Sequence, residues 1–172
     1  KEAGLEGALI LARDYDASSI LDAGDEVLLA QAEEALSVLA EAKIAEQLGA
    51  ISMHDVTEGG VNGAVHEMAT AAGLGVVLDE GAVPVFSVAD KLCRALSLHP
   101  LRLISSGSLL ISIRGDAQPL LGALREAGIK ATAIGAFTAD PSICTKDGQL
   151  IDPPAQDELY RAQAAFAKHA GK

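Results

Sequence analysis

The sequence predicts an α+β domain, an α/β/α layered sandwich built around a mixed sheet, and three observations predict it. Apolar residues switch repeatedly between helical spacing and short β-type runs, so strands and helices interleave along one compact chain. Two apolar runs, 101–104 and 109–113, flank Ser105-Ser106-Gly107-Ser108 and read as a hairpin, which favours mixed strand order over a purely parallel sheet. The 172 residues are 49% apolar and 22% charged, with no internal repeat or low-complexity block, enough to bury a core as one domain over 1–172.

The elements follow in order. Leu5, Leu9 and Ala12 share one face over 4–15, a short helix with a Gly-rich start. Asp22 to Asp25 is turn-like. From Val27 to Leu48 the residues Ala, Leu, Glu, Gln and Lys dominate, so this is the strongest helical stretch, broken, if anywhere, near Ser37 and ended by Gly49. Residues 50–54 form a short strand that leads through Asp55 to the pair Gly59-Gly60. A helix then runs over 60–72 with Val61, Ala64, Val65 and Met68 inward, and Gly73 closes it. Residues 75–78 are a strand. Ser87 caps an amphipathic helix over 87–98, and Pro100 marks its exit. The hairpin follows, then a helix over 118–127 ending at Gly128, a strand over 131–137, a Lys146-Asp147-Gly148 turn, and a final helix over 157–168.

Charge excludes one class of partner. Thirteen Lys and Arg against 24 Asp and Glu give a net charge of −11 with no basic cluster, so nothing here neutralises a nucleic-acid backbone. An anionic ligand must be held locally, by backbone N–H groups or through a metal. No apolar run approaches the roughly 20 residues of a membrane span, and no charged-then-apolar leader is present, so a cytoplasmic protein without membrane association is expected. Cys93 and Cys144 lack metal or redox spacing and read as ordinary thiols. The chain opens at Lys1 without Met and moves at once into ordered-looking sequence, as expected of a domain cut from a longer protein.

The most informative stretch is Met53-His54-Asp55-Val56-Thr57-Glu58-Gly59-Gly60-Val61-Asn62-Gly63. A strand ending in a carboxylate, then a hydroxyl, then two glycines that open a helix suits a phosphate and its metal. The glycines admit close backbone approach, the helix start offers free N–H groups, and Asp55 can ligate Mg²⁺. Neither a Walker A loop nor a dinucleotide fingerprint is present. The same residues also fit a purely structural role, in which Asp55 or Thr57 caps the helix and the glycines make a turn.

Read with its neighbours, MHDVTEGGVNGAVHEMATAAGLGVVLDEGAVPV followed by HPLRLISSGSLLISI resembles the C-terminal domain of the AIR synthase (PurM) superfamily, in the AIR synthase-related, HypE-like branch. Gly4-Leu5-Glu6-Gly7 and the closing Pro153-Pro154 with Asp157-Glu158-Leu159-Tyr160 are similar to that branch as well, so the likeness spans nearly the whole chain. It implies a PurM C-terminal-domain fold and the substrate and phosphate side of an enzyme that uses ATP and Mg²⁺ to activate an amide, carboxamide or acid oxygen by phosphorylation. By the same resemblance Asp55 is the Mg²⁺ or phosphate-side carboxylate, Thr57, Gly59 and Gly60 form the phosphate-facing turn, and Ser106, Gly107 and Ser108 form a loop near the substrate, which His54 also approaches. The implied partners are the chain's own N-terminal ATP-binding domain, absent here, a small-molecule or protein-thiol substrate, and a second copy of the parent in a homodimer. The isolated domain is then expected to be inactive and at most weakly associated. Its surface around Gly4 to Gly7 and the 105–108 loop is expected to lie open for the missing half.

Two departures from the branch bear on the chemistry. Glu58 stands where those sequences usually carry Arg, and the chain ends His169-Ala170-Gly171-Lys172 rather than in the cysteine that receives the substrate group. A non-catalytic binding or scaffold module that keeps the fold is the competing reading. His54 and His66 are twelve positions apart and find no carboxylate partner by spacing, so they do not read as a metal pair. Glu67 reads as a solvated helix face. Asp79 and Glu80 read as charged strand-end residues, and His99 as structural.

Overall fold

The computed structural model describes residues 1–170 and has mixed α/β architecture with a mixed sheet, as expected. Helix α1 spans Leu5–Asp14. The long helix expected over 27–48 is two helices, α2 (Ala23–Glu34) and α3 (Leu39–Gln47). Helix α2 starts inside the segment that reads as a turn because the acidic run there caps it. Asp22 Oδ1 accepts from the Gly24 and Asp25 amides at 2.9 and 3.2 Å, while Asp25 Oδ2 accepts from the Asp22 amide at 2.9 Å. Lys91 Nζ, 2.8 Å from Asp22 Oδ2 and 2.5 Å from Asp25 Oδ2, ties this cap to the fifth helix. The break lies at 35–38, where Lys1 Nζ donates to the carbonyls of Ala35 and Ser37 and sits 2.9 Å from the buried carboxylate of Glu41.

Strand β1 is Ser52–Val56, and helix α4 is Gly60–Ala72, closed by left-handed Gly73 as its glycine punctuation predicts. Strand β2 covers Gly75–Leu78 and helix α5 covers Ser87–Leu96. Ser87 is the first helical residue rather than the cap, because Phe86 holds the N-cap position without any side-chain bond.

The hairpin of 101–104 with 109–113 does not form. Pro100 has no N–H to give a ladder and opens a 3₁₀ turn over Pro100–Arg102, and Leu101 and Leu103 spend their apolar side chains in the core. Strand β3 (Ser108–Ser112) pairs instead with β1, antiparallel from Ser52 opposite Ser112 to Val56 opposite Ser108. Helix α6 spans Gln118–Glu126. The expected strand over 131–137 is shorter and shifted, β4 at Gly135–Thr138, antiparallel to β2. Strand β5, Ile143–Thr145, unforeseen, runs parallel to β2 on its other side. Helix α7 is Glu158–Ala170.

Three apolar clusters follow from this layout. Leu5, Leu11, Val88, Leu92, Leu103 and Ala162 join α1, α5 and α7. Val56, Val61, Val65, Val76, Leu78 and Leu101 pack α4 against β1 and β2. Ala45, Leu120 and Leu124 join α3 to α6, with Ile111 of β3 against them. The surface expected to lie open around Gly4 to Gly7 and 105–108 is closed. The Gly4 amide donates to Ser105 Oγ at 2.5 Å and the Gly7 amide to the Ile104 carbonyl at 3.1 Å, while Gly107 is buried against Leu5 and Leu36. No helix among the described residues is long and apolar enough to cross a membrane.

Candidate functional site

Antiparallel pairing of β1 with β3 sets the end of one beside the start of the other. The Thr57–Gly60 turn and the 105–108 loop therefore meet at one end of the two-stranded sheet. The pairing also carries β1 two residues beyond the expected end, so Asp55 lies inside the strand, opposite Leu109, rather than in the turn after it. Side chains alternate along a strand. Val56 accordingly faces the core, while Asp55 points out with its side chain 68% exposed.

The glycines take up left-handed backbone, Gly59 at φ 82° and Gly60 at φ 62°, and Gly59 is the N-cap of α4 with no side-chain bond from its neighbours, so neither Asp55 nor Thr57 caps the helix. Both glycines are buried. A Cβ on Gly60 would lie 2.6 Å from the Leu101 carbonyl oxygen and 2.7 Å from that of Leu103, so the missing side chain admits the backbone of the 101–103 turn. The Gly59 amide donates to Asp157 Oδ2 at 2.7 Å. In this conformation Thr57 and Glu58 are the exposed members of the turn.

In the facing loop, Ser108 Oγ donates to the Glu2 carbonyl at 3.0 Å and Gly107, at φ 97°, is buried. Ser106 is half-buried. The site residues read from the sequence thus divide into Asp55, Thr57 and Ser106, which reach solvent, and Gly59, Gly60, Gly107 and Ser108, which build the framework beneath them.

Three contacts were not legible in the sequence. His54 does meet a carboxylate: its Nε2 lies 2.6 Å from Glu67 Oε2 on α4, and its Nδ1 lies 2.6 Å from the Asp55 carbonyl oxygen. Both ring nitrogens are thus engaged within the protein, and neither faces an open position for a metal. Asp157, 2% exposed, binds the turn from the far end of the chain. Burial pushes its carboxyl above the usual range against the pull of the Leu159, Gly59 and Ile104 amides. Tyr160 reaches Glu58, whose charge, and then its hydrogen bond, push the phenol up. No spacing rule joins residues 13 or 98 positions apart. His66 Nε2 is held by the Ile151 carbonyl at 2.6 Å, a structural role.

The charges here are acidic: Asp55 and Glu67 flank His54, and Glu58 and Asp157 lie at the turn. Asn62 Oδ1, buried in the first turn of α4, has no partner among the described residues, and being an acceptor it gives no help to a phosphate oxygen. Among the described residues no group of three His, Cys, Asp or Glu side chains could hold a metal ion. Asp55 is therefore a single carboxylate. That fits Mg²⁺, which is often held by one or two carboxylates plus phosphate oxygens and water, and does not fit a closed all-protein site.

Residues 1–146 match the family model described as AIR synthase related protein, C-terminal domain. The chain belongs to this family. Carbamoyl dehydratase HypE of Rhodobacter capsulatus is 32% identical over 133 residues, covering 74% of this chain and 39% of that protein. The crystal structure of Escherichia coli HypE superposes with a TM-score of 0.69 at 27% identity, over 94% of this chain and 50% of the other. A HypE crystallised in complex with ATP matches at a TM-score of 0.56 and 27% identity, over 70% of this chain and 41% of that one. The chain spans less than half the length of the curated HypE relatives it matches. AIR synthase-related membership of the HypE-like kind, inferred above from the TEGG turn and the LDE and SSGS segments, is thus shown. The family match ends at residue 146, so the segment carrying Asp157 and Tyr160 lies beyond it.

Proposed function

We propose that this chain is the substrate and phosphate side of an ATP-dependent, HypE-like enzyme that activates an amide, carboxamide or acid oxygen by phosphorylation. One observation carries the reading: two hydroxyl-bearing loops and an exposed carboxylate converge at one end of the β1–β3 sheet, in a chain with a structural relative that was crystallised with ATP. The natural protein then joins this domain to an N-terminal domain that supplies most of the Mg·ATP binding and the homodimer contact. Bound Mg·ATP would supply the phosphoryl group and neutralise its charge.

This chain's own residues have narrower tasks. Asp55, exposed on the open face of β1, would hold Mg²⁺ beside phosphate oxygens. Thr57 and Ser106 offer hydroxyls from the two facing loops. His54, its ring held by Glu67 and by the Asp55 carbonyl, shapes the surface beside Asp55. The acidic surroundings make the metal obligatory, because phosphate alone would meet Asp55, Glu58 and Glu67 without a cation.

A scaffold role is the second reading, favoured by Glu58, which sets a carboxylate on the turn that would face phosphate. The test is Asp55→Ala and Thr57→Ala in the natural full-length protein, with Mg·ATP-dependent phosphate release as the readout. A loss of about 10²-fold or more with the melting temperature unchanged is expected. Full activity in both variants would overturn the enzyme reading for this face.

A further inference from the structure

The segment beyond the family match returns to the motif turn and touches it three times. Pro154 packs over the start of α4, where a Cβ on Gly59 would lie 3.6 Å and one on Gly63 3.9 Å from its Cγ. Tyr160 lies beside Glu58, whose charge pushes its phenol up. Between them Asp157 spreads one carboxylate over two segments. Its Oδ1 accepts from the Leu159 amide at 2.8 Å and its Oδ2 from the Gly59 amide at 2.7 Å, and the Ile104 backbone N–H is near enough to favour the charged form.

The Leu159 bond is the ordinary N-cap of α7. The Gly59 bond is not needed to start that helix. It supplies from across the chain the side-chain acceptor that the α4 N-cap lacks, on a carboxylate that also lies near the entry to the 105–108 loop. Neither glycine has a side chain with which to hold its own position, so the conformation at 59–60 depends on what its backbone meets.

We propose that Asp157 is a positioning residue of the site, holding the Thr57–Gly60 turn in place beside the 105–108 loop through the Gly59 amide. This rests on the reading of that end as the phosphate side. A carboxylate suits the task because its two oxygens accept independently, in different directions. Asn keeps one accepting oxygen and turns an NH₂ group toward an N–H, and Ala leaves buried amides without partners.

The test compares Asp157→Asn and Asp157→Ala with the wild type in the natural full-length protein, using the Gly59 and Ile104 amide resonances and the KM and kcat for Mg·ATP. Both resonances should move and KM should rise about tenfold, the range for a residue that acts through another. Formate added to Asp157→Ala should return the resonances and KM toward wild type, because it replaces the missing carboxylate. If Asp157→Ala does not fold, the near-isosteric Asp157→Asn carries the same comparison of KM and amide shifts. Unmoved resonances, or lowered stability with wild-type KM and kcat per folded enzyme, would overturn the proposal and leave Asp157 as a helix cap only. A wild type without Mg·ATP-dependent turnover would refute the function reading instead. The resonances and their recovery in formate would still decide whether Asp157 sets the turn.

Discussion

Replacing Gly60 by Ala separates two reasons for a glycine at this point. The residue sits at φ 62°, where an L side chain costs about 1–2 kcal/mol. The added methyl would also lie 2.6 and 2.7 Å from two carbonyl oxygens of the 101–103 turn, which are backbone atoms without a rotamer to move aside. Forced shifts of this kind cost about 1–3 kcal/mol, so the total is about 2–5 kcal/mol. Gly73 provides the control, because it has a nearly equal φ of 64° and nothing within 4 Å of the added Cβ. Gly73→Ala therefore carries the backbone cost alone. Urea unfolding of the two variants at equal m-value should differ by about 1–3 kcal/mol, and the midpoints of thermal unfolding by about 2–4 °C for each kcal/mol. Agreement of the two variants within about 0.5 kcal/mol would refute the close-approach argument.

Other expectations concern thiols and acid. Burial, followed by the nearby Glu158, Asp90 and Asp157 charges, pushes the Cys93 thiol up to about 12, so alkylating reagents at pH 8 should label half-buried Cys144 and leave Cys93 untouched until the chain unfolds. Rapid labelling of Cys93 under native conditions would refute its burial against α1 and α7. Asp157 has its folded pKa raised above the ordinary carboxylate value of 3.8, chiefly by burial. Its stabilising share is thus fully present below that value and is lost as pH rises through the folded pKa. Stability followed from pH 4 upward should carry this falling component in the wild type and lack it in Asp157→Asn, and identical profiles would contradict it.

Local punctuation was readable and tertiary partnership was not. The bounds of α4 follow from Gly59-Gly60 before it and Gly73 after it, and the structure keeps them. The 101–104 run has the composition of a strand, but Pro100 and the demand for Leu101 and Leu103 in two separate clusters make it a 3₁₀ turn and buried loop. Asp22 to Asp25 has turn composition, yet a reciprocal cap and Lys91 from α5 turn it into a helix start. In the candidate site, Asp55, Thr57 and Ser106 could be named from residue type and order. The His54–Glu67 pair and the Asp157 bond could not, since each depends on where β1 and α7 lie against α4.

The bond between Gly59 and Asp157 also sets an order of events during synthesis. Its partners are 98 positions apart. At about 5–20 residues per second the ribosome needs about 5–20 s to reach Asp157 after Gly59 has been joined. Through that interval the turn exists without the carboxylate that meets its amide, while exposed neighbours such as Glu58 have no Tyr160 beside them. The native turn is thus among the last parts of the chain to be completed, and a nascent chain stalled before residue 157 should carry a formed α4 with a turn that still exchanges its amide protons freely.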